Sequence, residues 1–124
     1  MNTFTNFEMS KLLKEKGYDA PCYGRYIKSK TKVHVSVYYM NHNIFSDTSA
    51  PTIAEVVMWV YEKHGIWIST QITIHLEFYY KCYNMKDKLN INNYPEVTSK
   101  PGNYFNSPTE AYLAAIEYTL TNLI

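Results

Sequence analysis

The sequence predicts an α+β fold, in which an antiparallel sheet of two hairpin units carries three helices on one face in the order α-β-β-α-β-β-α. Three segments begin with a helix-capping sequence and continue with apolar residues at helical spacing. Between them, two segments alternate apolar and polar residues with the period of a half-buried strand. At 124 residues the chain has the length of one ordinary domain, so a single domain over 1–124 is expected.

The first helix is predicted to run from Phe7 to Lys16. The preceding residues Thr5-Asn6-Phe7-Glu8 have the form of a capping box, in which the threonine and glutamate side chains satisfy free backbone N–H groups. Lysines near the end of this segment and Gly17 after it are typical of a helix C-terminus. The apolar residues at helical spacing are Met9, Leu12 and Leu13.

A first hairpin is predicted between residues 23 and 40, where the pattern changes to period two. The side chains expected to face the core are Ile27, Val33, Val35, Val37 and Tyr39. Those expected on the outer face are Tyr26, Lys28, Lys30, Lys32, His34, Ser36 and Tyr38. This parity continues across the turn at 29–31, so an odd loop of three residues is expected, with Ile27 opposite Val33 and Tyr26 opposite His34.

The second helix is predicted from a further capping box, Thr52-Ile53-Ala54-Glu55, and ends before Gly65. Its core-facing stripe comprises Ile53, Val56, Val57 and Val60. Met58 and Trp59 are expected on the opposite face, where large apolar side chains are unusual.

A second hairpin is predicted after Gly65, because the even positions from Ile66 to Cys82 are apolar over most of this segment. One straight strand of that length would span about 60 Å, whereas a domain of this size is about 35 Å across. The segment must therefore turn, and 69–71 is the predicted turn, with an odd loop. Residues 84–106 are predicted to be an irregular connection with a short strand near Val97 or Tyr104.

The third helix is predicted from Ser107-Pro108-Thr109-Glu110, which combines an N-cap, a proline in the first turn and a glutamate three residues after the cap. We expect it to run to the C-terminus. Its apolar stripe comprises Leu113, Ile116, Leu120 and Leu123.

The composition favours a protein without catalytic machinery. The chain has four glycines and contains none of the phosphate-binding, nucleophile-elbow or zinc-protease motifs. The four histidines and two cysteines show no metal-ligand spacing. We therefore expect neither an enzyme nor a metal or cofactor site. A cytoplasmic protein with reduced thiols is expected, because the sequence has no apolar run long enough for a membrane span and no leader at its N-terminus.

Positive charge is concentrated in residues 20–46, which contain one arginine and three lysines but no acidic residue. We predict a ligand-binding face there, with cations for phosphates and rings for stacking. Its residues are Arg25, Tyr26, Lys28, Lys32, His34 and Tyr38. Four cations and a net charge of +1 are too few for duplex nucleic acid, so a nucleotide or an acidic protein surface is expected. The alternative is that these lysines only protect an exposed edge strand from aggregation.

Met58 and Trp59 predict a contact surface, because large apolar and indole side chains are enriched in protein interfaces. A symmetric homodimer is the expected result. The alternative is that the 84–106 connection covers them.

Three segments, KLLKEKGYDAPC, SAPTIAEVVMWVYEKHGIWI and NSPTEAYLAAIEYTLTNLI, resemble a family of small uncharacterised proteins found widely in gut Bacteroidales bacteria and their phages. The resemblance implies a phage or mobile-element origin and carries no catalytic residues with it. We therefore expect a non-catalytic accessory protein that sequesters or inhibits a host component, either a nucleotide signal or a host defence protein. The alternatives are a small hydrolase or nuclease using histidine and acidic residues, and a purely structural oligomerisation module.

Overall fold

In a computed structural model, the described residues are 3–27, 32–44, 47–85, 96–98 (backbone only) and 104–124. They form three α-helices and two antiparallel sheets, which confirms the α+β class. The chain divides into two compact units, Met1–Val56 and Val57–Ile124. The prediction of one domain over 1–124 stays a prediction.

The first helix, α1, spans Phe7–Glu15, close to its predicted bounds. Its N-cap is Asn6 rather than the predicted Thr5, because the Asn6 Oδ1 accepts from the Met9 N–H at 2.8 Å. Thr5 is buried instead, and its hydroxyl bonds that of Ser10 at 2.7 Å. Gly17 ends the helix with a φ of 86°.

The end of α1 is a Schellman motif, which explains why the glycine is needed. The Tyr18 N–H donates to the Leu13 carbonyl at 2.9 Å, and the Gly17 N–H donates to the Lys14 carbonyl at 3.1 Å. The accompanying apolar contact is built from Leu13 and Tyr18, both fully buried. This local geometry brings the chain from α1 into the first strand.

The first sheet has the strand order β2-β1-β3, with β1 at Cys22–Tyr26, β2 at His34–Met40 and β3 at Thr48–Ser49. The short strand β3 pairs Arg25 with Ser49 and was not expected from sequence. Backbone packing is tight at Gly24, where an added Cβ would contact the Ala50 carbonyl oxygen and lie 2.8 Å from the Phe4 ring. The middle strand of this sheet is therefore closed to any side chain at position 24.

The predicted register of the first hairpin is wrong. Arg25 pairs with His34 and Gly24 with Val35, so the register differs by one residue from the predicted pairing of Tyr26 with His34. Because of this one-residue difference, Tyr26 and His34, which were expected to share a face of the hairpin, lie on opposite faces. The predicted turn at 29–31 lies outside the described residues, as does Lys30.

Helix α2 spans Ile53–His64, and its start confirms the predicted capping box. The Glu55 Oε1 accepts from the Thr52 N–H at 2.9 Å and from its hydroxyl at 3.0 Å. Gly65 follows with a φ of 69°. The predicted core stripe is confirmed by the burial of Ile53, Val56, Val57 and Val60.

The second sheet has the order β4-β5-β6, with β4 at Ile66–Ile72, β5 at Phe78–Asn84 and β6 at Glu96–Thr98. The predicted odd loop is confirmed because Ile72 pairs with Phe78 across residues 73–77, but the predicted turn at 69–71 is wrong. Ile74, predicted to lie in a strand, is in the turn and is 93% exposed. A short strand was predicted near Val97 or Tyr104, and β6 contains Val97.

Helix α3 spans Pro108–Tyr118 and continues as a π-helical turn over Thr119–Leu123. Ser107 caps it as predicted, since its Oγ accepts from the Glu110 N–H at 3.2 Å. The helix packs on β4 and β5. Its buried side chains are Ala111, Ala115, Ile116, Thr119 and Leu120, whereas the predicted stripe members Leu113 and Leu123 are only half-buried.

Candidate functional site: the exposed edge strand

The β1 residues of the predicted ligand-binding face do not form an open cationic surface. Tyr26 is buried, and its hydroxyl donates to the Thr5 carbonyl at 2.8 Å. Burial also raises the pKa of Tyr26. Arg25 is half-buried and forms an ion pair with Asp47, so its charge is already balanced. The placement of Tyr26 on the outer face is therefore wrong, since the shifted register turns it into the core.

The other predicted ligand-binding residues include three that the structure places in or beside β2. Lys32, His34 and Tyr38 are all exposed, whereas Lys28 lies outside the described residues. The chain from 20 to 46 has no acidic residue, so no carboxylate within that segment offsets Lys32. Among the described residues, the exposed members of the predicted face lie at the first part of β2, just before it and at Tyr38 within it.

A large irregularity in the β1–β2 pairing determines how β2 presents its side chains. Gly24 pairs with Val35 and Cys22 pairs with Met40, so four residues of β2 stand opposite Tyr23 alone. Within this bulge the Ser36 Oγ accepts from the Tyr38 N–H at 3.0 Å, as in a local turn. Bulges bend a strand and redirect its side chains, and they are common beside functional sites.

The result is an apolar surface on the outer strand of the sheet. Val37 is 87% exposed, Tyr38 69% and Val35 66%. We call this the edge-strand surface and define it as Tyr23, Val35, Val37, Tyr38 and Tyr39. Among the described strands, only β1 pairs with β2. Proteins rarely leave such side chains clustered on an edge strand, because the backbone groups of an open edge can pair with another chain.

Two aromatic rings give the edge-strand surface a rigid part. The centroids of the Tyr23 and Tyr39 rings lie 4.8 Å apart at an interplanar angle of 40°. The pKa of Tyr39 is raised, mainly by partial burial and secondly by the negative charge of the nearby Glu55 carboxylate. Tyrosine pairs of this kind provide contact area at a low entropic cost.

The sequence prediction that Val35, Val37 and Tyr39 face the core is wrong, since all three are exposed. Alternation alone assigns these residues to a buried face. One signal in the sequence points the other way: Val37, Tyr38, Tyr39 and Met40 are consecutive. Consecutive strand residues point to opposite faces, so these four cannot all face one core.

The predicted interface residues on α2 have different environments. Met58 is exposed as expected, but Trp59 is only 5% exposed, so its placement on an outer face is wrong. The Trp59 and His64 rings are in edge contact, with centroids 5.0 Å apart. A helix surface built on the indole is therefore not available.

Cys22 and His42 of unit 1 are held in structural roles. Cys22 is fully buried, and burial raises its pKa to about 11, so the thiolate needed for nucleophilic attack is disfavoured. The His42 Nε2 lies 3.1 Å from the Cys22 carbonyl oxygen, which requires the proton on that nitrogen. His42 is thus a buried hydrogen-bond donor to the backbone.

Two of the histidines lie at the surface of the described part of the chain. His34 and His75 are exposed, and neither has a side-chain ion pair with a carboxylate among those residues. In the same residues no group of three metal-binding side chains converges. Cys82 is buried near Thr119, with Sγ and Oγ1 3.5 Å apart, and burial raises its pKa.

None of the helices in the described ranges combines the length and apolar character that a bilayer crossing requires. Comparison of the chain with protein-family models, with curated proteins and with solved structures finds no match. The candidate site therefore depends on the geometry of β2 alone.

Proposed function

We propose that this chain is a non-catalytic binding protein, an accessory factor of a phage or mobile element, that sequesters or inhibits a host protein through the edge-strand surface. The observation that carries the proposal is the exposure of Val35, Val37 and Tyr38 on the outer strand of a sheet. The partner contributes an extended segment that pairs with the free edge of β2. This is β-strand addition, in which backbone bonds supply affinity and side-chain contacts supply specificity.

Charge decides which kind of partner fits. His34 is the first residue of β2, Lys32 lies two residues before it, and residues 20–46 have no acid. A second copy of the chain would bring the same acid-free segment against itself, whereas a strand flanked by aspartate or glutamate would complement it. The proposed occupant is therefore an acidic segment of a host protein.

The exposed apolar side chains of β2 supply part of the binding free energy. Burying one valine side chain stabilises an interface by about 1.5–3 kcal/mol, and β2 exposes two. The Tyr23–Tyr39 pair adds rigid aromatic area beside them. Lys32 and His34 lie at the rim, where charge affects association rate and salt dependence more than affinity.

The test uses matched valine and isoleucine variants. Wild type, Val37→Asp and Ile74→Asp are each immobilised and exposed to host lysate, and any captured protein is then purified and titrated. Ile74 is an equally exposed apolar residue on the other sheet, so Ile74→Asp should bind like wild type. Val37→Asp should weaken binding at least about tenfold, because a charged side chain on an edge strand opposes strand pairing and a carboxylate there repels an acidic segment. Equal binding by all three proteins would refute the proposal.

A nucleotide is the second candidate ligand, favoured by the exposed Lys32, His34 and Tyr38. It is tested by thermal unfolding with a panel of cyclic and linear nucleotides. A stabilising shift that is lost in Lys32→Gln would favour it over the protein partner. Binding without turnover is expected in both cases, and hydrolysis of any nucleotide in the panel would instead support the hydrolase alternative. Light scattering of the free chain tests the homodimer.

A further inference from the structure

Unit 2 contains an open cavity of about 310 Å³ beside β5 and the C-terminal part of α3. Its lining includes three aromatic rings, one carboxylate and two neutral polar side chains. These residues are Tyr80, Phe105, Glu117, Tyr118, Thr121 and Asn122. The volume lies at the small end of the range of ligand pockets.

The three rings are arranged around Tyr80. Its ring centroid lies 6.4 Å from that of Phe105 and 6.1 Å from that of Tyr118, with interplanar angles of 33° and 41°. These spacings are too wide for close face-to-face stacking, so the rings form neighbouring parts of the cavity wall. Tyr80 is buried, and burial raises its pKa, which keeps its hydroxyl neutral.

Regular backbone structure holds the rings in place. Phe105 and Phe78 exchange two backbone hydrogen bonds of 2.7 and 2.9 Å. Tyr80 lies within β5, and Tyr118 is the last residue of α3. A wall built on a strand, a bridge and a helix is preorganised, so little conformational entropy is lost when a ligand binds.

The charge of the lining is negative. Glu117 is the one charged residue in it, and no lysine, arginine or histidine belongs to it. The Asn122 Nδ2 donates to the Tyr118 carbonyl at 3.2 Å, which leaves its side-chain oxygen as an acceptor. Aromatic faces also carry negative potential, so every strong electrostatic feature of the lining favours a cation.

We propose that this cavity binds a small quaternary ammonium group, with the rings of Tyr80, Phe105 and Tyr118 around the methyl groups and Glu117 balancing the charge. A methylated ammonium loses little hydration energy and packs its methyl groups on ring faces. A primary ammonium is a compact, strongly hydrated charge, so it would gain less from a wall of aromatic rings than a methylated ammonium does. The site is independent of the edge-strand surface.

The test compares choline with its neutral isostere 3,3-dimethylbutan-1-ol by NMR titration of the full chain. Choline should bind at least about tenfold more tightly than the alcohol, because only choline carries the charge that the rings attract. Glu117→Gln should raise the choline Kd about threefold to tenfold, in keeping with the loss of one partly exposed charge. Glu62→Gln, an exposed glutamate of α2 outside the cavity, is the matched control and should leave the Kd unchanged.

Tyr118→Leu should abolish saturable choline binding while Glu117→Gln only weakens it, and thermal unfolding of both variants verifies that they fold. A peptide containing one trimethyllysine separates two sources of the same chemistry: tighter binding of the peptide assigns the site to a modified side chain, and tighter binding of choline to a free metabolite. Equal affinity for choline and the alcohol, or an unchanged Kd in Glu117→Gln, would overturn the proposal.

Discussion

Arg25 on β1 and Asp47, one residue before β3, form an ion pair with 3.1 Å between Nη1 and Oδ2. The Asp47 carbonyl oxygen also accepts from the Lys14 Nζ at 2.9 Å, so this residue connects α1 to the sheet. The pair removes Arg25 from the set of cations available to a ligand.

Replacing Asp47 by asparagine should lower the free energy of unfolding by less than about 1 kcal/mol, because the pair is only partly buried. Asparagine keeps the backbone carbonyl that accepts from Lys14. A double-mutant cycle with Arg25→Gln, measured by urea denaturation, isolates the pairwise energy. A coupling energy of zero would show that the ion pair does not stabilise the fold.

Gly24→Ala should destabilise unit 1 by about 2 kcal/mol or more, because the new methyl group would overlap the Ala50 carbonyl oxygen and the Phe4 ring. Gly17→Ala is the comparison, since it meets nothing within 4 Å but has a φ of 86°. Its cost of about 1 kcal/mol reflects backbone strain alone. In chemical denaturation, the free energy of unfolding should therefore be lower for Gly24→Ala than for Gly17→Ala. The reverse order would contradict the tight packing at Gly24.

Leu76→Gly should stabilise the protein by up to about 1 kcal/mol, because Leu76 occupies the left-handed region with a φ of 63°. The side chain is exposed, so little burial is lost. Leu76→Ala retains the Cβ and should give no gain. Thermal unfolding of the three proteins provides the measurement, and a lower midpoint for the glycine variant would disprove the strain at this turn.

Stability should fall in alkaline solution as the Cys22 thiol ionises. Its pKa in the folded protein is raised to about 11 by burial, above the value of about 8.5 in an unfolded chain. Above about pH 8.5 the thiol ionises in the unfolded chain but stays protonated in the folded protein, which favours unfolding. The free energy of unfolding is therefore unaffected by this thiol below about pH 8.5 and decreases as the pH rises towards 11. A loss on the order of 3 kcal/mol is expected over this range, because each pKa unit corresponds to about 1.4 kcal/mol.

The Cys22→Ser variant provides the control for this pH dependence. Serine can donate to the Gly24 carbonyl as the thiol does at 3.3 Å, but it does not ionise. The free energy of unfolding should therefore decline less steeply with pH in this variant. Parallel pH profiles for the two proteins would show that the thiol makes no contribution.

The elements that could be predicted from sequence are those whose causes are local. The capping pairs Thr52–Glu55 and Ser107–Glu110 position two helix starts correctly, because each joins residues three positions apart. Gly65 ends α2 for the same kind of reason. The parity of the second hairpin was also predictable, since Ile68 and Cys82 lie opposite each other and are both buried.

The candidate site could not be predicted in the same way. An alternating strand shows that two faces differ, but which residues become buried depends on what packs against each face. In β2 the bulge opposite Tyr23 and the position at the sheet edge leave Val35 and Val37 exposed. Trp59 shows the converse, since a side chain expected outside is buried.

From its order of residues alone, the chain determined the α+β class, the starts of α2 and α3, the end of α2 and the alternation within the second hairpin. Only the tertiary structure decided which face of β2 is exposed to solvent and that Arg25 forms an ion pair with Asp47. It also decided that Tyr80, Phe105 and Tyr118 line one cavity. The physical reason is range: caps and periodicity act over a few neighbouring residues, whereas burial, strand register and convergent side chains depend on contacts between segments far apart in the chain.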